Sequence, residues 1–306
     1  MKSRLLAGLL LAVILSLAMP VTAQDTDLTA DEEALIVVVQ EAVEALFAIE
    51  TFQARTETLI TQTIGTSAGG QDITIDQTIE QNSDAQIATS DGGIDESYTL
   101  LSQNTSMTAS VPGLSQDIPL TMEAILTDGQ YYLRFSDTPV ELTGIFPEGW
   151  FLPEDLAIPG FDFAAMANLT GRESLALYEV SLETITAIQE LEGTTLDGQE
   201  MRVISATFDA DTLFELAGLD ALFDPEAMGV GDDFLQDMLD ASVYDYIIYI
   251  GVDDGLPHRI DNNSTINDMA TEIQGESLTL TQESIATTTF FGFGEPVEIP
   301  EPVLGE

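Results

Sequence analysis

From Phe52 onward the chain alternates with a period of two over most of its length, and short glycine- or aspartate-bearing turns interrupt the alternation. Phe52, Ala54, Thr56, Thr58, Ile60 and Ile64 fall on one side of an extended chain, with Gln53, Arg55 and Glu57 on the other. The stretch GTSAGGQD turns the chain, and Ile73, Ile75 and Ile79 resume the rhythm. Further strands are predicted at 85–90, 96–107, 120–127, 130–136, 194–196, 201–208, 243–252, 257–268 and 270–287. Asp128-Gly129 and Asp197-Gly198 have the composition of two-residue hairpin turns. Half-polar strands joined by short turns suit an antiparallel sheet with one wet face.

Helical spacing occurs in two places. Ala34, Leu35, Val38, Val39, Ala42, Leu46 and Ile49 form one apolar stripe, which Asp31 can cap. A second run from Ser174 to Leu191 carries Leu175, Tyr178, Leu182, Ile185, Ile188 and Leu191, with Gly193 as its stop. Shorter helices are predicted at about 210–223 and 231–240. The order helix, strands, helices, strands gives an α+β class with one large antiparallel sheet and helices over one of its faces.

The first residues, MKSRLLAGLLLAVILSLAMPVTAQ, combine two cations, an apolar run and small residues at Val21-Thr22-Ala23. That is the pattern of a secretory signal peptide over 1–23. The expected mature chain is exported, periplasmic or extracellular, and soluble. A polar, acidic, flexible leader at 24–33 precedes a single domain at 34–302 and a tail at 303–306. No cysteine is present, so no lipobox and no disulfide is available. The formal net charge is −47. A surface this acidic repels nucleic acid and anionic lipid, and neither is an expected partner. No stable membrane insertion is expected after signal cleavage, and no protein partner is indicated. The acidity suits either a salty habitat or cation binding; no EF-hand-like spacing occurs.

Enzymatic signals are weak. Gly65-Thr66-Ser67-Ala68-Gly69 matches G-x-S-x-G, but period-two sequence follows where a nucleophile elbow needs a helix. A serine hydrolase using Ser67 and His258 is therefore a remote alternative. His258 is the single histidine, beside the Asp253-Asp254-Gly255 turn, and reads as a strand residue. No zinc cage, phosphate loop or dinucleotide fingerprint is present, and no cofactor or metal is expected.

Several loose motifs resemble those of the bacterial lipoprotein-carrier superfamily with the LolA/LolB-like fold, nearest to lipid-binding lipoproteins of the LppX/LprG type. They are the hairpin from Asp128 to Tyr132, the Gly149-Trp150 pair, Asp197-Gly198, and Phe293-Gly294-Glu295-Pro296-Val297. The resemblance implies a strongly curved antiparallel sheet, a half-barrel, covered on its concave face by the N-terminal and central helices. It implies a non-enzymatic carrier holding a lipid or other hydrophobic ligand between sheet and helices. Candidate lining residues on the strands are Phe52, Ile60, Ile75, Leu126, Tyr131, Leu133, Val203, Tyr246 and Ile248. Trp150, Phe151 and Phe161, in a proline-rich loop, are candidates for a gate. Alanine and threonine at Ala54, Thr56, Thr58 and Ala124 would leave room beside them. The alternative is an interaction module of the same fold with a filled core.

The charge generates a first prediction. Mutual repulsion destabilises the folded chain and salt screens it. The melting temperature should rise from very low to molar salt; a salt-independent value would contradict this.

Overall fold

The computed structural model describes residues 28–68, 71–90, 93–110, 116–136, 148–155, 185–208, 241–273 and 276–304. Helix α1 spans Ala30–Phe47. Thr29 caps it in a capping box: the Thr29 hydroxyl accepts from the Glu32 N–H, and the Thr29 N–H donates to Glu32 Oε2 at 2.8 Å. The cap is thus Thr29 and not Asp31, and the helix begins inside the segment read as a flexible leader. Asp31, Glu32 and Glu33 occupy the first turn, where the helix dipole favours anions.

Ten strands follow: β1 (Thr51–Ala68), β2 (Gln71–Ser90), β3 (Gly93–Ala109), β4 (Gln116–Thr127), β5 (Gln130–Ser136), β6 (Ile185–Leu196), β7 (Gln199–Phe208), β8 (Ser242–Gly251), β9 (Pro257–Ile273) and β10 (Glu276–Phe291). They form one sheet in the order β5-β4-β3-β2-β1-β10-β9-β8-β7-β6. Every neighbouring pair is antiparallel. The sheet is two sequential meanders joined where the first strand meets the last, from Gln53↔Phe291 to Thr66↔Leu278. It does not close; β5 and β6 lie at its ends. Strand twist and bulges, among them one where Asp268 adopts φ 49°, curve it into the expected half-barrel.

Both Asp-Gly turns form as predicted. Asp128 and Gly129 have φ of 50° and 69°, and Asp197 and Gly198 have 50° and 87°. Positive φ at both central residues defines the type I′ turn whose twist matches the flanking strands. The predicted strands at 73–79 and 85–90 are one continuous β2, and the predicted strand at 270–287 is divided between β9, which ends at Ile273, and β10, which begins at Glu276.

One helix is corrected. Residues Ile185–Leu191 belong to β6, not to a helix. A register shift between Ile185 and Ala187 sets Ile185 opposite Phe208 and Ile188 opposite Ala206. The extra residue places two isoleucines three apart on the same face, which imitates helical spacing. The rest of that predicted helix, and those at 210–223 and 231–240, lie outside the described residues.

The two faces of the sheet differ. The inner face carries Phe52, Ile60, Ile79, Ile204 and Ile248, and α1 packs on it. Val39 and Ala42 of the helix join Ile188, Ile204, Ala206 and Ile250 in one buried cluster over β6–β8. At the helix end Phe47 meets Phe52 edge-on at 6.4 Å. The outer face is mostly polar and is crossed by the C-terminal segment. Gly294 N–H donates to Thr51 O, Glu298 N–H donates to Gln86 Oε1, and Leu304 pairs with Trp150. Among the described residues no helix is long and apolar enough to cross a membrane.

Ile60 is 0% exposed and Leu59 beside it is 42% exposed. Ile60→Ala should cost about 2–5 kcal/mol in chemical denaturation, and Leu59→Ala about 0.5 kcal/mol or less. Equal losses at the two positions would contradict the assignment of faces.

Candidate functional site: the inner face of the sheet

Paired residues on adjacent antiparallel strands point to the same side, so the register sorts the predicted lining residues by face. Phe52, Ile87, Ser97, Leu126 and Tyr131 form one row across β1 to β5. The next inward row runs Ala54, Ala85, Thr99, Ala124 and Leu133. Phe151 extends that row by pairing with Leu133 through two 2.9 Å backbone hydrogen bonds. On the other side of the seam Ile248 and Tyr246 pair with Ile260 and Asn262, which pair in turn with Thr288 and Ala286. Ile60 and Ile75 lie on the same face in β1 and β2.

Two predicted lining residues lie elsewhere. Val203 pairs with Tyr249, which pairs with Arg259, and these belong to the outer face. Trp150, one residue before Phe151, faces outward, with the Arg134 guanidinium 4.7 Å from its ring centre. The tryptophan thus holds the C-terminal segment and the β5 arginine, while Phe151 turns inward and stacks on Phe135 at 5.9 Å. Phe161 lies outside the described residues.

The row of small residues is the distinctive relief of this face. Ala54, Ala85, Thr99 and Ala124 stand in line, with the larger Phe52 and Leu126 in the row on one side and Leu101 and Met122 in the row on the other. Ala85, Thr99 and Ala124 are half-buried. At an ordinary interstrand spacing the row is roughly 20 Å long from β1 to β5. The buried cluster that α1 forms lies over the other half of the sheet, on β6–β8, and at the helix end Phe47 reaches Phe52 of β1.

Sequence reasoning missed a second inner-face feature, a band of buried amides. Gln62, Gln77, Gln81, Gln103 and Gln282 are all less than a tenth exposed. The signal was available: Gln62 follows Ile60 by two, and Gln77 and Gln81 flank Ile79 by two, so the alternation that turns the isoleucines inward turns the glutamines inward as well.

Acyl-transfer chemistry is not assembled. The G-x-S-x-G segment lies within β1 up to Ala68, and β2 follows it, so no strand–turn–helix elbow exists. A Cβ on Gly65 would collide with Thr279 Oγ1 across the strand pair, which accounts for that glycine. Arg55, Thr289 and Arg259 share a register position, and Ser67 lies roughly 40 Å along β1 from it. His258, beside Arg259, is therefore far from Ser67, and the Ser67/His258 hydrolase is overturned. His258 Nε2 instead sits 2.9 Å from Asp254 Oδ2, with its ring against Phe293. Burial acts to raise the Asp254 carboxyl, but hydrogen bonds from Gln199, the Leu256 N–H and His258 outweigh it and hold the group below its usual range. Among the described residues no group of three or more acids or histidines is placed to hold a metal.

The charged groups lie on the outer face or at the sheet's end. Arg55 pairs with Asp84, Arg259 with Asp261, Arg202 with Glu190, and Arg134 binds Glu123 through two 2.6 Å bonds. Inside, burial pushes the Tyr246 phenol up to about 12. Tyr244 is raised by burial too, against hydrogen bonds with Ser242 and Ser264. A raised folded-state value means that the stability it represents is complete below the ordinary phenol value near 10. That stability is lost as pH climbs through the folded value. In an absorbance titration two of the seven tyrosines should stay protonated past pH 11 until the sheet unfolds; a single transition near 10 for all would contradict their burial.

No family model matches the chain, and no curated protein matches it. Among solved structures, lipoprotein LppX of Mycobacterium tuberculosis is 12% identical, covering 88% of this chain and 100% of its own, with a TM-score of 0.32. LprF of Mycobacterium bovis is 12% identical, covering 88% and 97%, with a TM-score of 0.35. A DUF1329 family protein of Desulfovibrio piger is 9% identical, covering 86% and 92%, with a TM-score of 0.26. LppX is one of the lipoproteins that name the resemblance noted from the motifs. At these identities and TM-scores no function transfers from these chains.

Proposed function

We propose that the protein is an exported, non-enzymatic carrier that holds a lipid or other hydrophobic molecule against the inner face of its sheet. The observation that carries this reading is the row of small residues, Ala54, Ala85, Thr99 and Ala124, set between rows that carry Phe52, Ile87 and Leu126 on one side and Leu101 and Met122 on the other. A sheet face built for packing alone interdigitates large side chains at near-crystalline density. A line of alanines and one threonine leaves less side-chain volume along this row than its neighbours do, and that relief is where an acyl chain would lie. Phe151 and Phe135 stack at its β5 end and are placed to close it. Apolar burial along such a trough supplies about 0.8 kcal/mol for each methylene taken from water.

Export follows from the leader read at 1–23, and the high acidity suits a carrier that does not adhere to anionic membranes. The ligand would then be received from a partner protein or from a neutral surface.

Organic extraction and mass spectrometry of the protein purified from its native compartment should yield a bound amphiphile in near-stoichiometric amount. After delipidation the protein should take up a pyrene-labelled acyl probe, and Ala85→Phe with Ala124→Phe should cut that uptake about tenfold or more by filling the trough. An empty extract together with no probe uptake would overturn the proposal and favour a filled interaction module.

A further inference from the structure

The amide band has a feature that packing alone leaves unexplained. Gln282, Gln62 and Gln77 stand side by side on β10, β1 and β2, exposed by 5%, 4% and 3%. Gln62 Nε2 donates to Gln77 Oε1 at 2.7 Å. Gln62 Oε1, Gln77 Nε2 and Gln282 Oε1 have no hydrogen-bond partner. Exchanging O and N in the first two amides reverses the donor and again leaves one carbonyl oxygen and one amide nitrogen alone. The neighbouring pair is different. Gln81 Nε2 donates to Gln103 Oε1 at 2.8 Å, and Gln103 Nε2 donates to Thr105 Oγ1 at 2.9 Å. One amide set is closed on itself, and the other is open.

A buried polar atom without a partner is destabilising, and leucine or methionine would fill the same volume without that cost. The open set is explained if a ligand completes it. Resting on the carrier reading above, we propose that Gln62, Gln77 and Gln282 bind the uncharged, hydroxyl-bearing head of an amphiphile. Its tail runs along β1 past Thr58 and Thr56 to the small-residue row at Ala54. The distance from Gln62 to Ala54 is roughly 25 Å at the ordinary strand rise, the scale of a long acyl chain.

The chemistry of the open atoms sets the head group. Two carbonyl oxygens call for O–H donors, and one amide NH2, with two N–H groups, calls for acceptor oxygens. A glycerol head linked through an ester or ether supplies that set. An anionic head is disfavoured. Among the described residues the band has no cation: Arg55, in the same strand, faces the opposite side and pairs with Asp84. An unpaired charge there would lose its hydration without compensation.

The test uses the full delipidated chain and three probes with the same pyrene-labelled tail: a monoacylglycerol, a hydrocarbon with no polar head, and a fatty acid. The wild type should bind the monoacylglycerol about tenfold or more tighter than the hydrocarbon, and tighter than the fatty acid. Gln62→Leu with Gln77→Leu should erase the preference, keep the hydrocarbon affinity, and hold or raise the denaturation midpoint. Gln282→Leu, which removes an open acceptor, should lower monoacylglycerol affinity several-fold and serves if the double variant does not fold. Gln81→Leu with Gln103→Leu should leave the head preference intact. Equal binding of monoacylglycerol and hydrocarbon by the wild type would overturn the head-group assignment while leaving the carrier reading standing. So would a preference that survives in Gln282→Leu and in the double variant, or a fatty acid bound as tightly as the monoacylglycerol. Binding of none of the three probes would overturn the carrier reading and this inference together.

Discussion

The pairing of β1 with β10 is the contact on which the architecture depends. Each half of the chain forms a five-stranded antiparallel set whose sequential strands are neighbours, and neither half alone has a continuous inner face. The ladder from Gln53↔Phe291 to Thr66↔Leu278 joins residues separated by most of the sequence and turns two five-stranded sheets into one. Closing so large a loop is entropically expensive and must be repaid across the whole ladder. The residues at the seam are suited to that. Ile60 is fully buried at its middle, Thr56 and Thr288 share a 2.9 Å hydroxyl contact, and Gly65 makes room for Thr279. The seam also creates the amide row, because Gln282 and Gln62 become neighbours through it.

The two sides of the seam take different roles. On β6–β8 the inner face meets α1 in a dense cluster of Val39, Ile188, Ile204 and Ile250. On β1–β5 the same face presents small side chains in a line. The outer face carries ion pairs, with the C-terminal segment laid across it and anchored at Trp150. On β1–β5 the described ion pairs therefore stay outside and neutral hydrogen-bonding groups stay inside, whereas at the β6–β7 end Arg202–Glu190 shares the register phase of Ile204 and Ile250. That division is what an acidic chain needs if it is to enclose an uncharged amphiphile without drawing its own carboxylates into a low-dielectric space.

The parts legible in the sequence were those with local physical causes. Asp-Gly dipeptides mark type I′ turns because both positions need positive φ, and both appeared where expected. Period-two alternation located the strands and placed Phe52, Ile60, Leu126, Leu133 and Tyr246 on one face. Errors arose where a local rule was broken. The β6 bulge gave Ile185 and Ile188 helical spacing within a strand. A run of three acids hid the Thr29 capping box, since any of them could stand in for the cap. The strand around Val203 has no internal mark of phase, so its face is not legible from the sequence; the register against Tyr249 supplies it. The buried glutamines carry no compositional mark of burial, and only their phase relative to Ile60 and Ile79 places them inside.

The central claim is that the inner face of the β1–β5 half receives the tail of a bound amphiphile whose head meets the amide row. A diazirine-bearing monoacylglycerol, photolysed on the delipidated protein, with adducts located by peptide mass spectrometry, tests it most directly. Adducts are predicted on inner-face residues along the tail's path, Thr58, Thr56, Ala54 and the adjoining Ala85, with outer-face neighbours such as Leu59, Thr61 and Ile285 unlabelled. Labelling spread equally over both faces, or confined to the outer one, would contradict the account.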